Sequence, residues 1–236
     1  MNGRIDVHSH LLPGVDDGCK TIEESLACAR ILASAGYSHC FCTPHIWPSY
    51  ANSVESIPDQ VARLQTHLDS ENVALRLIPG GEINLRAEHV SAPREQIVTY
   101  AMSGQFVLID MWHDRIPDFV APAIRNLQSF GLKVILAHPE RMRAVQEDGS
   151  VVDFFTDLGV LLQGNLQCFS DAPHAHTRQT AERLLLDDRY FVLGSDLHGL
   201  ETLPPRLAGL ERARELVGDD ALDRLTITNP RTLLLR

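Results

Sequence analysis

Arg4-Ile5-Asp6-Val7-His8-Ser9-His10 is a short apolar run that closes on two histidines. Side chains alternate along a strand, so His8 and His10 project from the same face. The pattern recurs near the other end of the chain, where Tyr190–Leu193 runs into Ser195-Asp196-Leu197-His198. Between these two stretches lie Tyr37–Cys42, Ala74–Ile78, Phe106–Ile109, Lys133–Ala137 and Val160–Leu162. They end in Thr43-Pro44-His45, Gly80-Gly81-Glu82, Asp110, His138-Pro139-Glu140 and Gln163-Gly164-Asn165 respectively. One polar residue at a strand end is unremarkable. The same ending on every run points to a shared rim.

Helical patterns separate the runs. Thr21–Ala35 is the clearest, with Ile22, Leu26, Ala29 and Ala33 at helical spacing, Gly36 as a stop, and Thr21 and Glu24 placed for a capping box. Further helices are expected over Asp59–Ser70, Pro117–Phe130, Thr177–Asp187, Pro205–Val217 and Pro230–Leu235, the last capped by Asn229. Seven strands alternating with helices imply βαβ units and a parallel sheet. In 236 residues, with no repeat or Pro/Gly/Ser linker, a single (β/α) barrel spanning residues 1–236 fits better than an open sheet. Barrels of this kind assemble their sites at the carboxyl ends of the strands.

Composition narrows the function. With 44% hydrophobic residues the chain can build a core without staples. No apolar run approaches the ~18 residues of a membrane helix, and the first eight residues offer no apolar stretch for a signal peptide, so cytoplasm is the expected compartment. The net charge of −10 disfavours a nucleic-acid backbone as partner and with it a nuclease role. Cys19, Cys28, Cys40, Cys42 and Cys168 have no zinc-type spacing and read as reduced, mostly buried thiols.

Imidazoles and carboxylates converging without thiolates are the ligand set of Mn, Fe or Zn at a reactive site. The candidates are His8, His10, Asp17, His45, Glu82, Asp110, His138, Asp196 and His198. Taken singly, His10 and His45 are ordinary polar residues, Asp110 a helix cap, and Asp16-Asp17-Gly18 a common turn. Taken together, nine groups exceed what one ion needs and suggest two or three ions sharing carboxylates. Clustered ions lower the pKa of a bridging water toward about 7 and hold the oxygens of a phosphate ester. The expected reaction is therefore attack on phosphorus by a metal-bridging hydroxide. Arg141, three residues past His138, is placed to grip phosphate in a bidentate manner, and Asp196 or a nearby histidine to protonate the leaving oxygen. There is no Cys followed six positions later by Arg, no G-x-S-x-G, no P-loop and no G-x-G-x-x-G. His113-Asp114 and His174-x-His176 lie outside the strand-end pattern and read as loops, while Trp47 and Trp112 suit either packing or an aromatic wall.

These motifs together resemble the polymerase-and-histidinol-phosphatase (PHP) superfamily. More narrowly, they are similar to the bacterial manganese-dependent protein-tyrosine phosphatases of capsule and exopolysaccharide synthesis. The resemblance runs through Asp6-Val7-His8-Ser9-His10, Pro13–Gly18, Thr43-Pro44-His45, Gly81-Glu82-Ile83, Ala137–Arg141, Leu161–Asn165 and Ser195-Asp196-x-His198, about the whole chain. It implies a distorted (β/α)₇ barrel and a trinuclear centre, with His8, His10, Asp17, His45, Glu82, His138, Asp196 and His198 as ligands. It also implies phosphate contact by Arg141 and, as substrate, phosphotyrosine on a tyrosine autokinase that controls polysaccharide export. Two positions depart from the pattern. Asp110 stands where that family has Glu, and Leu203 where it has Arg, with Arg206 one turn further on as the candidate second phosphate clamp. The rival readings are a small-molecule phosphoesterase, such as a histidinol-phosphate phosphatase, and a catalytically weak phosphotyrosine-binding regulator.

Overall fold

Alternation along the strands builds the core in two layers. In Phe106–Asp110, Phe106 and Leu108 join an inner cluster with Ile5, Val7, Phe41, Tyr100, Ile135, Ala137, Val192 and Leu233, while Val107 and Ile109 join the outer, helix-facing core. Lys133–Ala137 repeats the pattern, with Ile135 and Ala137 inward and Val134 and Leu136 outward. An interior filled by alternate side chains and an exterior covered by helices is the layering of a parallel barrel.

The computed structural model describes residues 3–170 and 175–235. Its strands are β1 Arg4–Asp6, β2 Tyr37–Cys42, β3 His45–Ile46, β4 Arg76–Pro79, β5 Glu82–Asn84, β6 Phe106–Asp110, β7 Lys133–Ala137, β8 Leu161–Asn165 and β9 Val192–Gly194. All their pairings are parallel. They form two sheets, β1-β2-β4 and β3-β5-β6-β7-β8-β9. The two sheets share polypeptide: β2 passes through Thr43-Pro44 into β3, and β4 passes through Gly80-Gly81 into β5. Backbone hydrogen bonds bridge both breaks, from Gly80 N–H to the Cys42 carbonyl (2.9 Å) and from Glu82 N–H to the Pro44 carbonyl (3.1 Å). The barrel closes where Ser9 pairs in parallel with Leu197, with Asp196 N–H bonded to the His8 carbonyl (2.7 Å) and His10 N–H to the Leu197 carbonyl (2.8 Å). The described strands thus occupy seven positions around a distorted barrel, in the order the sequence suggests.

Helices α1 Ile22–Ser34, α2 Ser56–Ser70, α3 Val120–Ser129, α4 Arg143–Glu147, α5 Ser150–Asp157, α6 Gln167–Ser170, α7 Ala175–Leu186 and α8 Leu203–Asp223 cover the outside. None of the described helices is long and apolar enough to cross a membrane. All five cysteines are free and buried.

Several local expectations change. Helices α4 and α5 escape the periodicity reading. In α5 the run Val151-Val152-Asp153-Phe154-Phe155 is β-branched and aromatic, yet it buries Val152 and Phe155 at helical spacing. Thr21 Oγ1 caps α1 by accepting from Glu24 N–H (3.2 Å), but the Glu24 carboxylate does not return to Thr21. It accepts instead from Lys20 N–H (2.8 Å) and Leu200 N–H (3.1 Å), tying α1 to the loop after His198. Asn229 is not a cap: its backbone is helical and its side chain donates to the Phe191 carbonyl (2.8 Å) at the other end of the barrel. His176 is exposed on α7 rather than in a loop, and His174 lies outside the described residues.

Helix α8 lies tightly against α6. A Cβ on Gly209 would sit 1.8 Å from the Leu166 carbonyl oxygen. Gly209→Ala should therefore lower the unfolding free energy by about 1–3 kcal/mol, despite the ~1 kcal/mol that Ala gains in helix propensity. Urea unfolding measures this, and a variant as stable as the parent would show that α8 can slide.

Candidate metal centre

The carboxyl ends of the strands bring eight of the nine candidate ligands to one rim. Glu82, the first residue of β5, is its hub. One oxygen lies 3.5 Å from His8 Nε2 and 3.0 Å from His138 Nε2; the other lies 3.6 Å from His10 Nε2 and 2.7 Å from His45 Nδ1. An Asp196 oxygen lies 3.4 Å from Nε2 of both His8 and His10, and 3.4 Å from His198 Nδ1. Asp17, half exposed at 52%, reaches His45 Nε2 (3.2 Å) and His198 Nε2 (3.5 Å) from above. Among the described residues, two sets offer ligand atoms within 4.8 Å of one another: His10, Asp17, His45 and His198, and His8, His10 and Glu82.

The hydrogen bonds behind the rings decide what these atoms can do. His8 Nδ1 faces Gln163 Oε1 (2.8 Å), His10 Nδ1 faces an Asp16 oxygen (2.7 Å), and His198 Nδ1 faces the Asp196 carbonyl (2.8 Å). Each acceptor fixes the proton on Nδ1 and leaves Nε2 as a lone pair. In the neutral rings the Nε2 atoms of His8 and His10 then stand 3.3 Å apart, lone pair against lone pair, an arrangement relieved by a proton or a cation. His45 Nδ1 and the nearer Glu82 oxygen are 2.7 Å apart but out of line for a hydrogen bond, and neither has a hydrogen-bond partner. Buried polar atoms left in that state are costly unless a cation or protons fill the gap. The donor set, imidazole and carboxylate without thiolate, fits a divalent ion.

The ionisation of the rim agrees. Burial pushes the Glu82 carboxyl up, but His8, His138 and His45 outweigh it and hold it well below the usual carboxylate range. Burial is likewise outweighed at Asp196, by His8, His10, His198 and His138, so its carboxyl is also held well below that range. His10 is raised well above its ordinary value, because the Asp16 and Asp196 bonds exceed the cost of burial. His8 is raised by Glu82 and Asp196 against burial. Burial lowers His138, and burial with His10 lowers His198 to about 4.

Backbone geometry aims these groups. Strand alternation would turn His138 outward, since Leu136 faces out and Ala137 in. A left-handed backbone (φ 35°) swings it back toward Glu82. Asp196 is also left-handed (φ 53°). Gly18 lets the Asp16-Asp17 turn lie on the His10 strand, for a Cβ there would sit 2.1 Å from the His10 carbonyl oxygen.

Two expected site residues play other parts. Asp110 belongs to neither ligand set: Asn84 Nδ2 donates to one oxygen (3.2 Å) and Trp112 Nε1 to the other (2.6 Å). Burial and Glu82 raise its carboxyl to about 7. The aspartate side chain, one methylene shorter than glutamate, is spent on the strand end and the indole. Arg206 is only 3% exposed and does not reach the rim. It donates from Nε (3.0 Å) and Nη2 (2.5 Å) to the Asp196 carbonyl and from Nη1 to the Thr202 carbonyl (2.5 Å), so it braces the left-handed turn. Arg141, 35% exposed, is the cation at the rim, held by an Asp196 oxygen (2.9 Å) and lying over the Trp112 ring (4.7 Å).

Sequence reading missed the supports. Asp16 also accepts from Gly18 N–H (2.9 Å) and His45 N–H (3.1 Å); Asn165 Nδ2 donates to an Asp196 oxygen (2.7 Å); and buried Asp6 accepts from Ser195 N–H (2.9 Å) and Ser195 Oγ (2.5 Å). Asp17 is a candidate from the sequence, but nothing there assigns the adjacent Asp16 its place behind His10. The Asp6–Ser195 bond spans the barrel seam, which no local pattern announces.

Fold and rim together define a parallel α/β barrel with a His/Asp/Glu cluster, able to hold metal, at the carboxyl ends of its strands. Residues 4–235 match the family described as capsular polysaccharide synthesis, CpsB/CapC, and the chain belongs to that family. It is 25% identical over 199 residues to the tyrosine-protein phosphatase YwqE of Bacillus subtilis, covering 84% of this chain and 78% of that one. It is 26% identical over 239 residues to the tyrosine-protein phosphatase CpsB of Streptococcus agalactiae, covering 92% and 96%. Among solved structures, one described as YwqE from Bacillus subtilis and CpsB from Streptococcus pneumoniae, unique metal-dependent tyrosine phosphatases, superposes with a TM-score of 0.88 at 25% identity, over 98% of this chain and 94% of that one. The phosphotriesterase homology protein of Escherichia coli shares the fold, with a TM-score of 0.63 at 12% identity over 99% of both chains.

Two outcomes are expected. Protons on His8 and His10 must leave before a cation binds, so manganese affinity should fall as pH drops from about 8 to about 6. Equilibrium dialysis with metal analysis checks this, and a flat profile would remove these histidines from the ligand set. Arg206→Ala should cost about 2 kcal/mol of unfolding free energy, because hydrogen bonds from a charged group contribute about 1.5–3 kcal/mol each. Thermal unfolding of the metal-free protein reads it, and an unchanged midpoint would contradict the bracing role.

Proposed function

We propose that residues 1–236 act as one metal-dependent phosphatase domain that hydrolyses phosphotyrosine in proteins. The observation that carries this reading is one rim where unpartnered imidazole and carboxylate atoms stand beside a solvent-facing guanidinium. His8, His10, Asp17, His45, Glu82, His138, Asp196 and His198 would hold two or three divalent ions, manganese foremost, with iron or zinc as alternatives. When bound, the ions supply Lewis-acid charge and an activated water.

The chain's own groups do the rest. Arg141 binds the phosphate oxygens and stabilises the charge that grows on them. Asp196, steadied by Asn165 and by the Arg206 brace, keeps Arg141 turned toward the rim. Its carboxyl is held too low to donate a proton near neutral pH, so it acts as an orienting anion rather than as the general acid. Phosphotyrosine tolerates that arrangement, because a phenolate of pKa ~10 departs with little protonation. The protein substrate in this reading is a tyrosine autokinase of polysaccharide export; membership of a capsular polysaccharide synthesis family supports the link to that process alone.

Hydrolysis of p-nitrophenyl phosphate and of phosphotyrosine peptides should vanish with EDTA and return with manganese. Arg141→Ala should lower kcat/KM by ~100-fold while moving the unfolding midpoint little, as its side chain is partly exposed. Turnover indifferent to EDTA would end the metal reading. Faster turnover of histidinol phosphate than of the peptides would redirect the substrate.

A further inference from the structure

Trp112 lies two residues past the end of β6 and is 50% exposed, an unusual place for an indole. It is nonetheless held. Its Nε1 donates to the buried Asp110 carboxylate (2.6 Å), whose other oxygen is fixed by Asn84 (3.2 Å). Arg141 lies over the ring at 4.7 Å, and the His138 ring is 5.5 Å away at 35°. Trp47 is committed differently, stacked on the His45 ring at 4.1 Å.

From this we infer that Trp112 is a specificity-determining wall of the substrate slot, favouring aryl over alkyl phosphate esters. The inference rests on the phosphatase reading and names the device that would select its substrate class. A phosphate held by Arg141 places its ester substituent within reach of the indole, because guanidinium and ring are already in contact. An aromatic substituent presents a flat face to the open part of the ring, whereas the single methylene of a phosphoserine does not. The Asp110 bond matters because a loose, exposed indole would lose rotamer freedom on binding and return less affinity. The position that departs from the resembling family's glutamate thus orients the ring.

Binding of non-hydrolysable phosphonates tests this without relying on turnover. Calorimetric titration of the manganese-loaded chain compares phenylphosphonate with ethylphosphonate. Trp112→Ala should weaken phenylphosphonate by roughly tenfold and ethylphosphonate by less than about twofold, the ring–ring contribution expected of one aromatic pair. Trp112→Phe should recover most of the preference. Equal weakening of both ligands, no change in either, or failure of the parent chain to bind either phosphonate overturns the proposal. A parent chain that binds both but turns over no phosphotyrosine peptide overturns the phosphatase reading instead, and the binding ratio still judges Trp112.

Discussion

Nε2 of His8 and Nε2 of His10 face each other at 3.3 Å with their protons anchored on the far side of the rings. That arrangement is repulsive by itself, and much of the surrounding structure serves to hold it. Gln163 and Asp16 fix the tautomers from behind. Glu82 and Asp196 supply negative charge from the front, and the histidines in turn keep both carboxyls ionised. The rim is thus a balanced set of buried charges that is incomplete until positive charge enters. A protein that buries this many ionisable groups gives up stability for a site ready to bind cations.

The cost is met at the barrel seam. β1 carries His8 and His10 beyond its end, and Asp196 and His198 follow β9, so the two ends of the ligand set join only where first and last strands meet. Asp6 and Ser195 tie that junction below the rim, and Arg206 ties it from outside. The left-handed backbones at His138 and Asp196 are costly for side-chain-bearing residues and persist because these contacts over-determine them.

The sequence was most readable where one residue type in one spacing has one use. The His-x-His and Asp-x-His pairs bracket the chain, and the polar endings of the intervening runs mark the rim, so the barrel and eight rim residues could be read from pattern alone. What escaped depends on distant partners. Asp110 looks like a ligand until Trp112 Nε1 and Asn84 Nδ2 are seen to claim its oxygens. Arg206 looks like a phosphate clamp until its guanidinium is found under the Asp196 carbonyl. Asp16 and Asp17 differ only in which neighbour each meets. Helix α5 escaped because its Val and Phe residues favour extended backbone locally, and packing on the barrel wall overrides them.

The closing of the barrel at Ser9 and Leu197 has a consequence for how the chain matures. Residues nearly two hundred positions apart must be side by side before Asp196 and His198 can join His8 and His10, so a nascent chain lacks the complete rim until β9 has emerged. Contacts of such long sequence separation form slowly and late in folding. Completion of the rim is therefore a late test of topology: Asp196 and His198 reach His10 only when the first and last strands have met.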